Sequence, residues 1–166
     1  MSNPVSDLVL GFQDLVARVP DLVQPLIVAL AGAVPFIEGE GAAAIGIIGG
    51  IPPLAAAVAG ALGNLVCVAV VVLVSSRVRT AVTTRRGGGS PAPSARRAKF
   101  ERAYHRYGTA GVSLLGPLIL PTQFTAAALT ATGVSPVRVL AWQAAAIALW
   151  TTLVTLIITG VLRFAA

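Results

Sequence analysis

Two long stretches without a charged residue constrain the fold more than any other feature of the sequence. Residues 53–76 and 139–162 are almost entirely apolar. A helix needs about 20 consecutive apolar residues to cross the hydrocarbon core of a bilayer, and each stretch is long enough. The sequence therefore predicts two transmembrane helices, the first over 53–76 and the second over 136–162.

The composition of the whole chain agrees with this interpretation. Of 166 residues, 56% are hydrophobic and 11% are charged, whereas soluble domains have about 25% charged residues. The first apolar run follows an N-terminal segment that has no Lys or Arg before Arg18, so no signal peptide is predicted. We expect a single all-α integral membrane domain.

The charge distribution predicts the topology. All 12 Lys and Arg residues except Arg18, Arg138 and Arg163 lie within 77–106. The positive-inside rule makes that segment a cytoplasmic loop, so the first span runs inward and the second outward. The chain is expected to be a multi-pass membrane protein. Residues 4–19 have apolar side chains at helical spacing and predict an N-terminal amphipathic helix.

Two carboxylates lie within apolar sequence, in the motif Pro-Phe-Ile-Glu-Gly-Glu-Gly at 35–41. A carboxylate near the middle of a bilayer costs about 3 kcal/mol on insertion scales, so Glu38 and Glu40 need a compensating role. Pro35, Gly39 and Gly41 favour a helix break that exposes backbone and carboxylates to a polar cavity. The alternative interpretation is a loop at the membrane surface.

Two other apolar regions are interrupted before they are long enough to cross a membrane. Residues 22–49 and 108–133 are each predicted to form a re-entrant hairpin, which enters and leaves on the same face. The second is broken by Gly116, Pro117 and Pro121. Its Thr122 and Gln123 are candidate substrate or proton ligands, and so is Asn64 of the first span.

The two halves of the chain match each other in sequence. The Ala-Ala-Ala-Ile-x-x-x-Gly-x-x-Pro of 42–52 falls on Ala-Ala-Ala-Leu-x-x-x-Gly-x-x-Pro at 126–136, and each copy precedes a long apolar span. With a cytoplasmic loop between the halves, the repeat has inverted topology. Such a repeat places the two hairpin tips near each other at the midplane, Glu38 and Glu40 opposite Thr122 and Gln123.

These motifs resemble the small multidrug export family of bacterial membrane proteins. The Pro-x-x-Glu of 35–38, the Gly-Asn pair of 63–64, the basic loop and the second broken hairpin are similar to that family. The chain resembles more distantly the DedA or VTT superfamily, on Arg-Tyr-Gly at 106–108, Gly-Pro-x-x-x-Pro at 116–121, Gly133 and Trp142. The chain departs from both families. DedA proteins usually have arginines roughly where Leu118 and Phe124 stand here, and the exporters often have Arg where Glu40 stands.

The resemblance implies a proton-coupled exporter of small molecules, such as organic cations, in the bacterial cytoplasmic (inner) membrane. Glu38 would be its principal carboxylate. A DedA-like translocase of lipid or polyprenyl phosphate and a non-transporting membrane scaffold are the alternatives. No enzyme motif, metal site or cofactor site is expected, and nucleic acid is not an expected partner. The expected partners are a small-molecule or lipid substrate, protons and membrane lipids. A homodimer is expected because two spans and two hairpins make a small core.

Overall fold

The computed structural model describes residues 3–85 and 108–165, and within them every regular element is helical. The prediction of an all-helical chain is confirmed for this part. In order, the helices are α1 Pro4–Arg18, α2 Gln24–Gly32, α3 Glu38–Ile48, α4 Pro53–Arg85, α5 at 108–115, a 3₁₀ helix Gly116–Leu118, α6 Thr122–Ala131 and α7 Pro136–Ala165.

Two of these helices, α4 and α7, are long and apolar enough to cross a membrane. Only 28% and 17% of their most apolar windows are buried inside the protein. Most of their apolar surface is therefore not covered by the other described residues. The core helix of a soluble protein would be mostly buried.

The helix α4 does not end at residue 76, where the first predicted span ends, but continues to Arg85. Its last turns are held by threonine hydroxyls: that of Thr80 donates to the Ser76 carbonyl and that of Thr84 to the Thr80 carbonyl, each at 3.0 Å. The first part of the predicted cytoplasmic loop is therefore helical. Residues 86–107, the rest of that loop, lie outside the described residues.

The chain divides into two compact units, Met1–Cys67 with Ile147–Ala166, and Val68–Ala146. In the first unit, α2 and α3 form a packed helix pair, called here the first helix pair, and α1 packs against both. The stripe of α1 that faces them includes Val16, which is fully buried, with Val9 and Phe12 beside it. The helix α1 therefore covers the first helix pair.

Glycines allow α4 to approach the first helix pair at backbone distance. A Cβ on Gly63 would collide with the carbonyl of Ala29 on α2, and one on Gly60 would lie 2.7 Å from the carbonyl oxygen of Gly39 on α3. A Cβ on Gly32 would in turn collide with the Gly60 carbonyl. Small residues permit such contacts between apolar helices, where van der Waals packing is the main attraction.

The second unit contains a second helix pair, α5 and α6, joined by the 3₁₀ helix and residues 119–121. The 3₁₀ helix packs against α6, where a Cβ on Gly116 would lie 2.7 Å from the Thr125 methyl carbon. Beyond the other end of α6, the Arg79 guanidinium lies against Gly133. A cation beside the C-terminal end of a helix interacts favourably with its dipole.

The helices α3 and α6 end in the same Schellman motif. The N–H groups of Gly50 and Ile51 donate to the carbonyls of Ile47 and Gly46, at 3.1 and 2.9 Å. After α6, those of Gly133 and Val134 donate to Thr130 and Leu129, at 3.0 and 3.3 Å. The glycines have φ of +90° and +98°, the left-handed conformation that this cap requires.

This local geometry shifts the sequence match by one residue. Gly50, and not Gly49, is the structural equivalent of Gly133, and Pro53 and Pro136 each begin a long helix. The helices α3 and α6 begin at Glu38 and Thr122, which are the same number of residues apart as the matched alanines of the two halves. The difference arises because α3 has 11 residues and α6 has 10.

Candidate functional site

The break between α2 and α3 has a strained backbone. Phe36 and Glu38 have φ of +73° and +55°, in the left-handed region that side chains other than glycine rarely adopt. The Val34 carbonyl holds the turn by accepting hydrogen bonds from Ile37 N–H and Glu38 N–H, at 3.2 and 3.1 Å. Strained residues of this kind concentrate at functional sites, where the surrounding structure enforces them.

Both carboxylates lie in the first turn of α3. Glu38 is only 4% exposed, whereas Glu40 is partly buried. The N-terminal end of a helix favours negative charge, which offsets part of the cost of burying these groups. Glu40 is outside the two candidate spans, and burial raises the pKa of its carboxyl, an effect that its backbone hydrogen bond opposes.

Of the three residues predicted to break the first hairpin, one lies in the break and two lie inside the following helix. Pro35 is exposed within the break, at residues 33–37, while Gly39 and Gly41 lie inside α3. Gly39 instead permits close packing, because a Cβ there would collide with the Thr151 hydroxyl oxygen on α7 and lie 3.3 Å from the Ala61 Cα on α4. The backbone between the two glutamates therefore contacts both long helices.

Asn64 is fully buried on α4, directly after Gly63, in the segment that packs against α2. Asn64, Glu38 and Glu40 all belong to the first unit, whereas Thr122 and Gln123 belong to the second. The predicted apposition of the two hairpin tips stays a prediction.

In the second unit, uncharged polar side chains form a hydrogen-bonded cluster around the start of α6. Thr122, Gln123 and Thr125 are all at most 5% exposed. The Thr125 hydroxyl donates to the Thr122 carbonyl at 2.9 Å and accepts from Gln143 Nε2 of α7 at 3.1 Å. Pro117 lies in the 3₁₀ helix, and Pro121 is the N-cap residue of α6. The cluster can bind a neutral polar group but offers no charge.

Sequence reasoning missed several buried polar residues on the helices around these two regions. Within the described residues, five side-chain oxygens are buried without a hydrogen-bond partner, those of Ser113, Gln143, Thr151, Thr155 and Thr159. The last three are spaced four apart in an uncharged stretch. That spacing, which puts three hydroxyls on one helix face, is the signal that could have revealed them.

The chemistry available at the first helix pair is proton or cation binding by a buried carboxylate. Among the residues described, no group of three His, Cys, Asp or Glu side chains could hold a metal ion. Comparison with protein-family models, with curated proteins and with solved structures found no match to this chain.

Proposed function

We propose that this protein is a proton-coupled exporter of small organic molecules in the bacterial cytoplasmic membrane. The observation that carries the proposal is Glu38, a carboxylate 4% exposed at a strained break between two short helices. An ionisable group at such a position in a membrane protein marks a pathway for protons, ions or substrates.

The membrane location is supported by the apolar surface. Large hydrophobic side chains are exposed along both long helices, for example Val66, Val70 and Leu156 at 63%, 56% and 65%. Water would make so large an exposed apolar surface unfavourable, whereas lipid tails solvate it. The basic residues of 77–106 then orient the chain with that segment in the cytoplasm.

The re-entrant arrangement is supported by helix length. At 1.5 Å per residue, α2 and α3 extend about 14 and 16 Å, roughly half of the hydrocarbon core. Two packed helices of this length enter and leave on one face, with the break at their deep end. The matching Schellman motifs after α3 and α6 support a duplicated unit, and opposite orientation of its copies makes an inverted repeat.

In the proposed mechanism, Glu38 alternates between a protonated state and a state that binds the substrate. Desolvation disfavours the ionised carboxylate, and a second carboxylate two residues away disfavours it further, so a proton or an organic cation is bound in its place. Release of the substrate on the outer side is coupled to uptake of a proton. A homodimer is the proposed assembly.

A lipid translocase of the DedA kind is the second candidate. Phe36, which lies in the first break, is 68% exposed, and Ile119 at the second break is 83% exposed. Such side chains favour contact with acyl chains while a headgroup occupies a polar site. Residues 22–49 and 108–133 contain no Lys or Arg, so the chemistry suits a zwitterionic headgroup better than an anionic one.

The test is proton flux in vesicles that contain the purified protein, measured with an internal pH dye under an imposed pH gradient and with candidate organic cations. We compare the parent with Glu38→Gln and Glu40→Gln, which keep shape and hydrogen bonding but lose the ionisable group. Substrate-dependent flux should fall to the level of empty vesicles in Glu38→Gln and decrease less in Glu40→Gln.

Asp14→Asn is the matched control. Asp14 is an exposed carboxylate of α1 whose ion pair with Arg18 contributes little, so its loss should leave flux unchanged. Equal flux in all four proteins at every pH excludes proton coupling. In that event, movement of a labelled phosphatidylethanolamine between leaflets distinguishes the lipid translocase from a scaffold.

A further inference from the structure

Three threonines on α7 form a line of buried hydroxyls. Thr151, Thr155 and Thr159 are spaced four residues apart, so their side chains lie one above another on the same helix face. The hydroxyl oxygen of each is buried and has no hydrogen-bond partner within residues 3–85 and 108–165. All three belong to the first unit.

Threonine in a helix usually satisfies its hydroxyl by donating to a carbonyl of the preceding turn, as Thr80 and Thr84 do on α4. The three threonines of α7 make no such bond. Thr151 and Thr155 are 2% and 8% exposed, so bulk solvent does not satisfy them. A buried hydroxyl without a partner is costly, and three in a line need an explanation.

One end of this line reaches the backbone between the two carboxylates. The Thr151 hydroxyl oxygen lies against Gly39, the residue between Glu38 and Glu40. The other end, at Thr159, is partly buried and lies one turn before Arg163. The line therefore leads from the helical turn that carries both carboxylates toward the C-terminal end of α7.

We infer that Thr151, Thr155 and Thr159 form a hydrated proton path to the Glu38–Glu40 site, an inference that rests on the proposed function. Hydroxyls one helical turn apart are separated by roughly 6 Å. One water molecule spans such a gap, because two O–H···O bonds of about 2.8 Å add up to that distance. Two bridging waters thus join the three hydroxyls into one chain.

Proton movement along this chain is balanced at each step. A proton enters at Thr159, and each hydroxyl or water accepts one proton on its oxygen while it releases another to the next oxygen. The last proton converts the carboxylate of Glu38 or Glu40 into a carboxylic acid. The charged residues of α1, which packs against α2 and α3, are Asp7, Asp14 and Arg18; they are exposed and are not the end point.

The first test removes one hydroxyl. Thr155→Val keeps the shape of the side chain, and we expect it to slow proton flux by roughly a hundredfold, the lower end of the effect of losing a positioned proton-transfer group. Thr155→Ser restores the hydroxyl and should restore flux. Binding of tetraphenylphosphonium, used as a probe cation and measured by calorimetry, should not change. The matched control is Thr152→Val, because Thr152 is the adjacent threonine and is exposed.

If the parent transports protons and the proton flux of Thr155→Val equals that of both the parent and Thr152→Val, the path is wrong. The proposed function stands in that case. Thermal unfolding in detergent checks that Thr155→Val is folded. Loss of flux in both Val variants also overturns the path, because the effect would not depend on the buried face.

A second test does not depend on transport. Single cysteines at 151, 152, 155 and 159, in a Cys67→Ala background, are treated in vesicles with a small, water-soluble methanethiosulfonate. The cysteines at 151, 155 and 159 should react at least about tenfold faster than that at 152, since the thiolate forms only where water is present. Equal or slower reaction overturns the path. Fast reaction in a protein without proton flux keeps the hydrated path and rejects the proposed function.

Discussion

The first and second helix pairs have the same design but different chemistry. Each consists of two short helices with a break, and each ends in a Schellman motif followed by a long helix that begins at proline. In the first pair, the residue that begins the second helix is a strained, buried glutamate. In the second it is Thr122, with ordinary geometry and uncharged neighbours.

The second pair shows that a helix break of this kind can occur without a buried charge. The second pair forms its break with Gly116, Pro117 and Pro121 and satisfies its polar groups by hydrogen bonds. The first pair uses left-handed Phe36 and Glu38, which cost conformational energy. The strain and the buried charge of the first pair are the features on which the proposed function rests.

The largest effect is expected in a labelling experiment that tests whether the two pairs have opposite orientation. In a Cys67→Ala background, cysteines at the exposed positions Asp21 and Pro52, on either side of the first pair, should both react only with an external membrane-impermeant thiol reagent. Cysteines at Gly88 and Ser135, on either side of the second pair, should react only from the cytoplasmic side. If the cysteines at positions 21 and 52 were labelled from opposite faces, the first pair would be an ordinary span.

The second-largest effect is expected on the free energy of unfolding, when a glycine at a close contact of each pair is replaced by alanine. Gly63→Ala places a Cβ against the Ala29 backbone, whereas Gly116→Ala places one against the Thr125 methyl, a side-chain atom that yields more easily than backbone. Overpacking costs about 1–3 kcal/mol, and more where backbone must shift. Gly63→Ala should therefore lower the free energy of unfolding by about 3 kcal/mol, even after the roughly 1 kcal/mol gained from helix propensity. Gly116→Ala should lower it by about 1 kcal/mol.

Thermal unfolding in detergent measures both variants, with Gly160→Ala as control because a Cβ there meets nothing within 4 Å. A Gly63→Ala protein as stable as the control would contradict the backbone contact.

The smallest expected effect is on stability: a glycine substitution should stabilise the protein at the first break and destabilise it at the second. Phe36 has φ +73° and is exposed, so Phe36→Gly should stabilise the protein by about 1 kcal/mol, because glycine adopts the left-handed region without steric cost. Ile119 of the second break has φ −126° and is also exposed. Ile119→Gly should destabilise by about 0.5–1 kcal/mol through the entropy of the unfolded chain. Chemical denaturation in mixed micelles measures both, and the same sign for the two variants would show that the breaks do not differ in strain.

The sequence was most informative where one physical requirement dominates. Uncharged stretches of sufficient length predicted the two long apolar helices, and these are present as α4 and α7. The left-handed Phe36 was not predictable, because nothing in its own sequence favours that conformation, which occurs in the turn closed by the Val34 carbonyl. The match of Gly49 with Gly133 failed locally, since sequence identity cannot tell which of two adjacent glycines occupies the cap.

The candidate site was predictable in residue type but not in its surroundings. The cost of a carboxylate in apolar sequence is enough to identify Glu38 and Glu40 as candidates. The contact of Gly39 with Thr151, far away in the chain, depends on how α7 packs and has no local sequence signal. The threonine spacing on α7 is visible in the sequence, but which helix face is buried depends on tertiary packing.

The glycine contacts of α4 restrict how the proposed exporter could change conformation. Gly60 and Gly63 contact the backbone of α2 and α3 directly, and backbone atoms, unlike side chains, have no alternative rotamers. Sliding of the first helix pair along α4 would push Cα atoms and carbonyls into each other after a small displacement. A transport cycle would therefore move α2, α3 and the N-terminal half of α4 as one rigid body, with its hinges placed elsewhere in the chain.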